Sequence, residues 1–211
     1  MSSEEPETVA RATPRNAASL VLTRKRDGLT QVLLGRRASS HKFMPDIYVF
    51  PGGRVDRADA GRPAVRELRP EVAAKLESKF SPSLARSLAV AAIRETHEET
   101  GLVIGSLENG VLKPALDQVD YVARAITPNG SPIRFHARFF HCDGDQAAGE
   151  AQDSAELQDL QWFPIDEALK LPLIDVTEFV LEQTRDQLAG MPPRGVPLLR
   201  YRRGVRYIRY E

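Results

Sequence analysis

The strongest constraint on this chain is a helix that must touch protein on two opposite sides. Ser81-Pro82 reads as an N-cap followed by proline at the first helical position, and Gly101 is placed to end the helix in a left-handed turn. The spacing therefore predicts one helix running to about Thr100. At about 100° per residue, Leu84, Leu88 and Ala91 share a face with Glu95, Glu98 and Glu99, while Val90 and Ile93 lie opposite. Carboxylates spaced i, i+3, i+4 repel one another. Taken alone, Glu-x-x-Glu-Glu also reads as a solvated acidic face. The helical phase argues against that, because an apolar face that turns into three carboxylates points into a cleft. Such a cleft wants a cation, and a hard divalent ion such as Mg²⁺ or Mn²⁺ takes oxygen ligands of this kind. Arg94 is positioned to orient one carboxylate through a two-pronged hydrogen bond.

Composition narrows the class. The chain has 211 residues with 42% apolar content, enough to bury a core without covalent staples. Its 29 basic and 29 acidic residues balance. That argues against a nucleic-acid binder, which usually carries a basic excess, and leaves room for a small anionic substrate. The one cysteine, Cys142, excludes an internal disulfide and fits a reducing cytosol. No apolar run reaches membrane-spanning length, and the acidic opening Met-Ser-Ser-Glu-Glu-Pro-Glu lacks the apolar stretch of a secretory signal. A cytoplasmic protein without membrane contact is expected.

Residues 1 to about 14 read as a polar tail. Two apolar runs, Leu20–Leu22 and Val32–Leu34, flank Asp27-Gly28 as in a β-hairpin. Tyr48-Val49-Phe50 is a further strand, stopped by Pro51-Gly52-Gly53. A short helix is expected from about Glu71 to Lys79, strands at 119–126 and 133–142, helices at 165–169 and 177–188, and a terminal hairpin turning at Gly204. Without regular βαβ alternation, the fold class is α+β.

The run Arg94-Glu95-Thr96-His97-Glu98-Glu99-Thr100-Gly101-Leu102 resembles the end of the Nudix hydrolase signature, G-x5-E-x7-R-E-U-x-E-E-x-G-U with U apolar. Phe50-Pro51-Gly52-Gly53 resembles its start. The middle departs. Gly53 lies 41 residues before Arg94 instead of 14, an excess of about 27 residues, and Thr96 replaces an apolar residue. The first signature glutamate falls on Arg86 when counted back from Arg94 and on Asp59 when counted forward from Gly53. Asp56 and Asp59 are the available substitutes.

The resemblance implies a Nudix-type α/β/α sandwich with a mixed sheet. It would be a single domain over 15–211, with an inserted helical segment at about 57–81, between the Gly-Gly loop and the catalytic helix. It implies hydrolysis of a nucleoside diphosphate linked to another group, with Glu95, Glu98 and Glu99 holding Mg²⁺ or Mn²⁺. Arg94 and Glu98 are candidate catalytic residues. Glu156 is the candidate base or extra ligand from a later loop, ahead of the weaker Glu150 and Asp153; an ordinary loop carboxylate is the alternative reading.

Upstream, Leu33-Leu34-Gly35-Arg36-Arg37-Ala38, Lys42, Asp46 and Phe50-Pro51-Gly52-Gly53 resemble the L-L-T-x-R-[SA]-x3-R-x3-G-x3-F-P-G-G pattern of coenzyme A diphosphatases. Gly35, Lys42 and Asp46 depart from it. The stretch 43–56, with 126–128 and 134–140, resembles the acyl-coenzyme A branch, which also carries an insertion. Arg37, Lys42, Gly52, Gly53 and Arg54 are the substrate-binding candidates, the cations to meet phosphate. Strand-end surface cations are the alternative for Arg37 and Arg54. The first-choice substrate is coenzyme A or an acyl-CoA, giving 3′,5′-ADP and a 4′-phosphopantetheine product. ADP-ribose or NADH is the enzymatic rival, and a non-catalytic Nudix-fold binding module the rival of a different class. The insertion reads either as a lid or as a subunit contact, the latter implying a homodimer. The arginines after Arg194 read as an edge hairpin guarded by cations.

Overall fold

A computed structural model describes residues 12–39, 44–191, 194–202 and 204–211. Lys42 and most of the expected tail lie outside the described residues. Strands β1 (Arg15–Arg26) and β2 (Leu29–Arg37) form the expected hairpin. Asp27 and Gly28 both take positive φ, 52° and 76°, the conformation a tight two-residue hairpin turn needs. Then come β3 (Tyr48–Val49), β4 (Gly52–Arg54), helix α1 (Pro70–Glu77), the long helix α2 (Pro82–Thr100) and a hairpin of β5 (Gly105–Glu108) and β6 (Val111–Pro114). Strands β7 (Asp120–Ile126), β8 (Phe135–Asp143) and β9 (Leu157–Pro164) precede helices α3 (Ile165–Ala168) and α4 (Asp175–Leu188). The last strands are β10 (Pro197–Arg202) and β11 (Val205–Tyr210).

Among the described residues one mixed nine-stranded sheet runs β11-β10-β7-β8-β1-β2-β3, with β4 paired to β1 and β9 to β2. The β1–β8 and β7–β10 pairs are parallel; the others are antiparallel. β1 is shared along one edge: residues 17–19 pair with β4 and residues 23–26 with β2. Each face of the sheet has its own core. Leu20, Leu22 and Phe140 pack against α1 and α2 through Leu76, Leu88, Ala92 and Ile93. Val21, Val122 and Phe139 pack against α3 and α4 through Ile165, Phe179 and Val180. The fold is an α+β sandwich of helix, mixed sheet and helix.

α2 forms as expected. The Ser81 hydroxyl accepts the Leu84 N–H at 3.3 Å, and Gly101 closes the helix at φ 75°. Val90 and Ile93 are buried, so both sides of the helix do touch protein. β11 is the exposed edge foreseen for the arginine-rich terminus. Cys142 is buried, and burial pushes its thiol up to about 12, which leaves it unreactive.

Candidate active site

The site forms where α2 crosses the glycine strand β4. Arg94 is its hub, and only 7% of that residue is exposed. Its Nε and Nη2 donate to the two oxygens of Asp59 at 2.8 and 3.1 Å. Nη1 donates to Glu95 and to Glu98, each at 2.9 Å, and Nη2 also reaches the Arg54 carbonyl at 3.0 Å. Burial alone would lower the guanidinium pKa; the Asp59 hydrogen bond and the surrounding carboxylates raise it instead. Arg94 is therefore always charged.

Asp59 is fully buried in the short turn Arg57–Gly61. Its Oδ2 also accepts the Asp56 N–H at 2.7 Å, while Asp56 caps the turn by accepting from the Arg57 N–H. Of the two positions to which the first signature glutamate could be counted, the structure brings Asp59 to Arg94. Arg86 pairs instead with Glu67, at 2.8 and 2.9 Å.

The three helix glutamates occupy different environments. Glu99 is 8% exposed and accepts the Gly52 N–H at 2.8 Å. Loss of water raises its pKa to about 8 despite that bond, and Glu95 and Glu156 push the same way. Glu95 is half-buried, and burial raises its pKa against the pull of Arg94. Glu98 is largely exposed apart from its bond to Arg94. Glycine suits the strand beneath them. A Cβ on Gly53 would stand 2.4 Å from the Glu95 carboxylate, and one on Gly52, at φ 154°, would stand 2.5 Å from the β1 backbone.

A cleft of about 1660 Å³ opens beside this centre. Glu95, Glu99, Gly52, Gly53 and Arg54 line it, and so do Arg37 and Glu156 from the neighbouring β2 and β9 ends. The Ala38 N–H donates to the Glu156 carbonyl at 3.1 Å, which ties those ends together. Glu156 is exposed and close enough to raise the pKa of both Glu95 and Glu99. Asp153 is engaged elsewhere, accepting the Asp159 and Leu160 N–H groups at 2.9 Å. Among the described residues no group of three or more acids, histidines or cysteines is already gathered around one point. Glu95 and Glu98 spend one oxygen each on Arg94. The donor set nevertheless suits a hard divalent ion: all oxygen, with one buried carboxylate that lacks a formal ion pair among the described residues.

A carboxylate-bearing helix, clamped by its own arginine onto a Gly-Gly strand of a mixed sheet, defines the Nudix fold. Residues 85–181, just under half of the chain, match the NUDIX domain family. A NUDIX hydrolase from Alicyclobacillus acidocaldarius is similar at 27% identity and TM-score 0.63, over 82% of this chain and 91% of that one. The NUDIX domain of Shewanella oneidensis NrtR, solved with ADP ribose, shares the fold at 18% identity and TM-score 0.53, over 88% and 94% of the two chains. Nudix hydrolase 7 of Caenorhabditis elegans is 36% identical over 96 residues, 46% of this chain. The chain spans about a quarter of that relative's length, 24%.

Proposed function

We propose that this protein is a metal-dependent Nudix hydrolase that cleaves the pyrophosphate of a nucleoside diphosphate derivative, with coenzyme A or an acyl-CoA as first-choice substrate. The observation that carries the reading is the clamp: Arg94, tied to Asp59, holds Glu95 and Glu98 beside the buried Glu99 at one end of a cleft. Glu95, Glu98 and Glu99 would hold Mg²⁺ or Mn²⁺. Such an ion, when bound, neutralises pyrophosphate charge and lowers the pKa of a coordinated water. Arg94 ties Glu95, which lines the cleft, to the largely exposed Glu98 beside it and fixes their spacing. Glu156 faces the same cleft and is the candidate to take the proton from the attacking water. Arg37 and Arg54, both lining the cleft, would grip the substrate phosphates.

Two departures from the coenzyme A pattern have local causes. Asp46 stands where the upstream pattern has glycine, and it keeps the positive φ of a glycine, 60°. Its side chain pairs with Arg36 at 2.8 Å. Gly35 stands where the pattern has threonine, at an irregularity in the β2–β9 pairing, and a Cβ there would meet Leu160 at 2.9 Å and Leu157 at 3.0 Å. Both departures have a local cause that leaves Arg37 on the cleft.

The domain is read as one unit over 15–211. Because Asp59 keeps the signature spacing from Gly53 and still meets Arg94, the extra residues are best placed after Asp59, slightly later than the 57–81 read from sequence. Product release from CoA, acyl-CoA, ADP-ribose, NADH and nucleoside triphosphates, each with Mg²⁺ and with Mn²⁺, tests the reading. Turnover of CoA compounds above the rest supports it. ADP-ribose or NADH turnover moves the substrate to the rival class. No turnover with metal bound makes this a binding module.

A further inference from the structure

β9 pairs regularly with β2 from Pro164 back to Gln161 and then slips. Leu34 is opposite Gln161 and Arg36 is opposite Gln158, so Gly35 alone faces two residues, Asp159 and Leu160. This is a β-bulge, with Asp159 at a positive φ of 51°. Side chains alternate along a strand, so Leu157 and Leu160, three apart, belong on opposite faces of a regular one. Here both would meet a Cβ on Gly35, at 3.0 and 2.9 Å. The extra residue has therefore reversed the facing of the residues before it. Next in line is Glu156, whose carbonyl accepts the Ala38 N–H and carries the pairing one residue past β9. Without the bulge, Glu156 would project from the face that Leu157 and Leu160 now share. With it, Glu156 lines the cleft that Glu95 and Glu99 also line.

Such a bulge has two costs. A left-handed backbone is strained for a residue with a side chain, and the bulged residues lose ladder acceptors for their N–H groups. Asp153 offsets both. Its Oδ2 accepts the Asp159 N–H and its Oδ1 the Leu160 N–H, each at 2.9 Å. The Asp159 carboxylate is held in turn by the Tyr48 hydroxyl and the Gln161 side-chain amide. The segment between Asp153 and Asp159 is braced as well. Ser154 Oγ accepts the Glu156 N–H at 3.3 Å and the Leu157 N–H at 3.1 Å. The Gln152 N–H donates to the Thr100 carbonyl at 2.9 Å, one residue beyond Glu99 on α2. Asp153 itself is exposed and does not line the cleft.

We propose that Asp153 is a positioning residue: by locking the bulge at Asp159 it aims Glu156 at the helix carboxylates. The proposal rests on the reading of Glu156 as part of the carboxylate centre. It adds a residue that acts on that centre only through the strand register.

The test is a double-mutant cycle of Asp153→Ala and Glu156→Gln in the full chain, read first as Mn²⁺ affinity by calorimetry. A carboxylate near Glu95 and Glu99 strengthens the hold on a dication, so Glu156→Gln is expected to weaken Mn²⁺ binding at least about fourfold. Asp153→Ala is expected to weaken it by a similar factor alone, and by less than about 1.5-fold in the Glu156→Gln background. That background also controls for the charge of Asp153 itself. The second readout is turnover of whichever pyrophosphate the protein hydrolyses. Asp153→Ala is expected to lower kcat about tenfold with KM within about twofold, and again to add little to Glu156→Gln. Equal effects of Asp153→Ala in both backgrounds, or none in either, overturn the proposal, because a simple surface brace acts additively. Unchanged Mn²⁺ affinity in Glu156→Gln overturns it too, since Glu156 is then not aimed at the carboxylates. If Asp153→Ala does not fold, Asp153→Asn, which keeps one acceptor, is put through the same cycle and held to the same criteria. Coupling in Mn²⁺ binding without turnover of any pyrophosphate sinks the hydrolase reading and leaves the positioning role; turnover with additive effects does the reverse.

Discussion

Replacing Asp59 with asparagine removes one charge and almost no volume. In the native structure both carboxylate oxygens accept from Arg94, and one accepts the Asp56 N–H as well. The amide turns one acceptor into a donor facing a guanidinium. Breaking a buried ion pair from one side costs about 3–5 kcal/mol, because the remaining charge is stranded. Arg94 is not fully stranded, since Glu95, Glu98 and the Arg54 carbonyl remain. The expected loss therefore sits lower, at about 2–3 kcal/mol. For a domain of this size each kcal/mol moves Tm by about 2–4 °C, so a drop of about 5–10 °C is expected. Urea unfolding with far-UV circular dichroism gives the free energy. A double-mutant cycle with Arg94→Met isolates the pair, and a coupling of about 2 kcal/mol is expected. Turnover should fall mainly in kcat, because Asp59 acts through the carboxylates that Arg94 positions. A stability loss below about 0.5 kcal/mol with no coupling would refute the clamp.

Glu98→Gln should abolish metal-dependent turnover while Tm stays within a few degrees, since Glu98 is largely exposed; full activity in the variant would remove Glu98 from the site. Gly53→Ala places a methyl 2.4 Å from the Glu95 carboxylate, and activity should drop at least about tenfold with weaker metal binding by titration. His136 should make the protein acid-sensitive. Burial, then the charges of Arg138 and Arg124, lower its pKa to about 3 from 6.5. Between these values the unfolded chain holds a proton that the folded chain refuses, so stability is lost as pH falls below about 6.5. From pH 7 to pH 5 the loss should be about 1–2 kcal/mol by urea unfolding, and His136→Gln should remove that part of the slope.

Local chemistry made parts of this structure legible. The Ser81 cap, the Gly101 stop and the Asp27-Gly28 turn each act within a few residues, and each formed where the sequence places it. The β5–β6 hairpin was missed although Asn109-Gly110 is a turn pair with both φ angles positive. Its flanks carry the exposed Leu107 and Val111, so no buried alternation announces the strands. Gly52-Gly53 reads as a loop by composition and is a strand in fact, because close approach of Ser19 and Glu95 favours residues without a side chain. The choice between Asp59 and Arg86 could not be made by counting. It depends on a contact spanning 35 residues and on Glu67, which takes Arg86 out of contention.

The ties between the glycine strand and α2 have a further consequence. Arg94 grips Asp59 and the Arg54 carbonyl, and Glu99 grips the Gly52 N–H, so the chain is stapled at both ends of the stretch between Asp59 and Arg94. A stretch closed in this way is thermodynamically insensitive to its own length, because doubling a loop adds only about 0.6 kcal/mol of closure entropy. Residues can then be gained, lost or exchanged there while the helix carboxylates stay in register. An evolving lineage could reshape this rim of the cleft, and with it what the cleft accepts, without rebuilding the carboxylate centre.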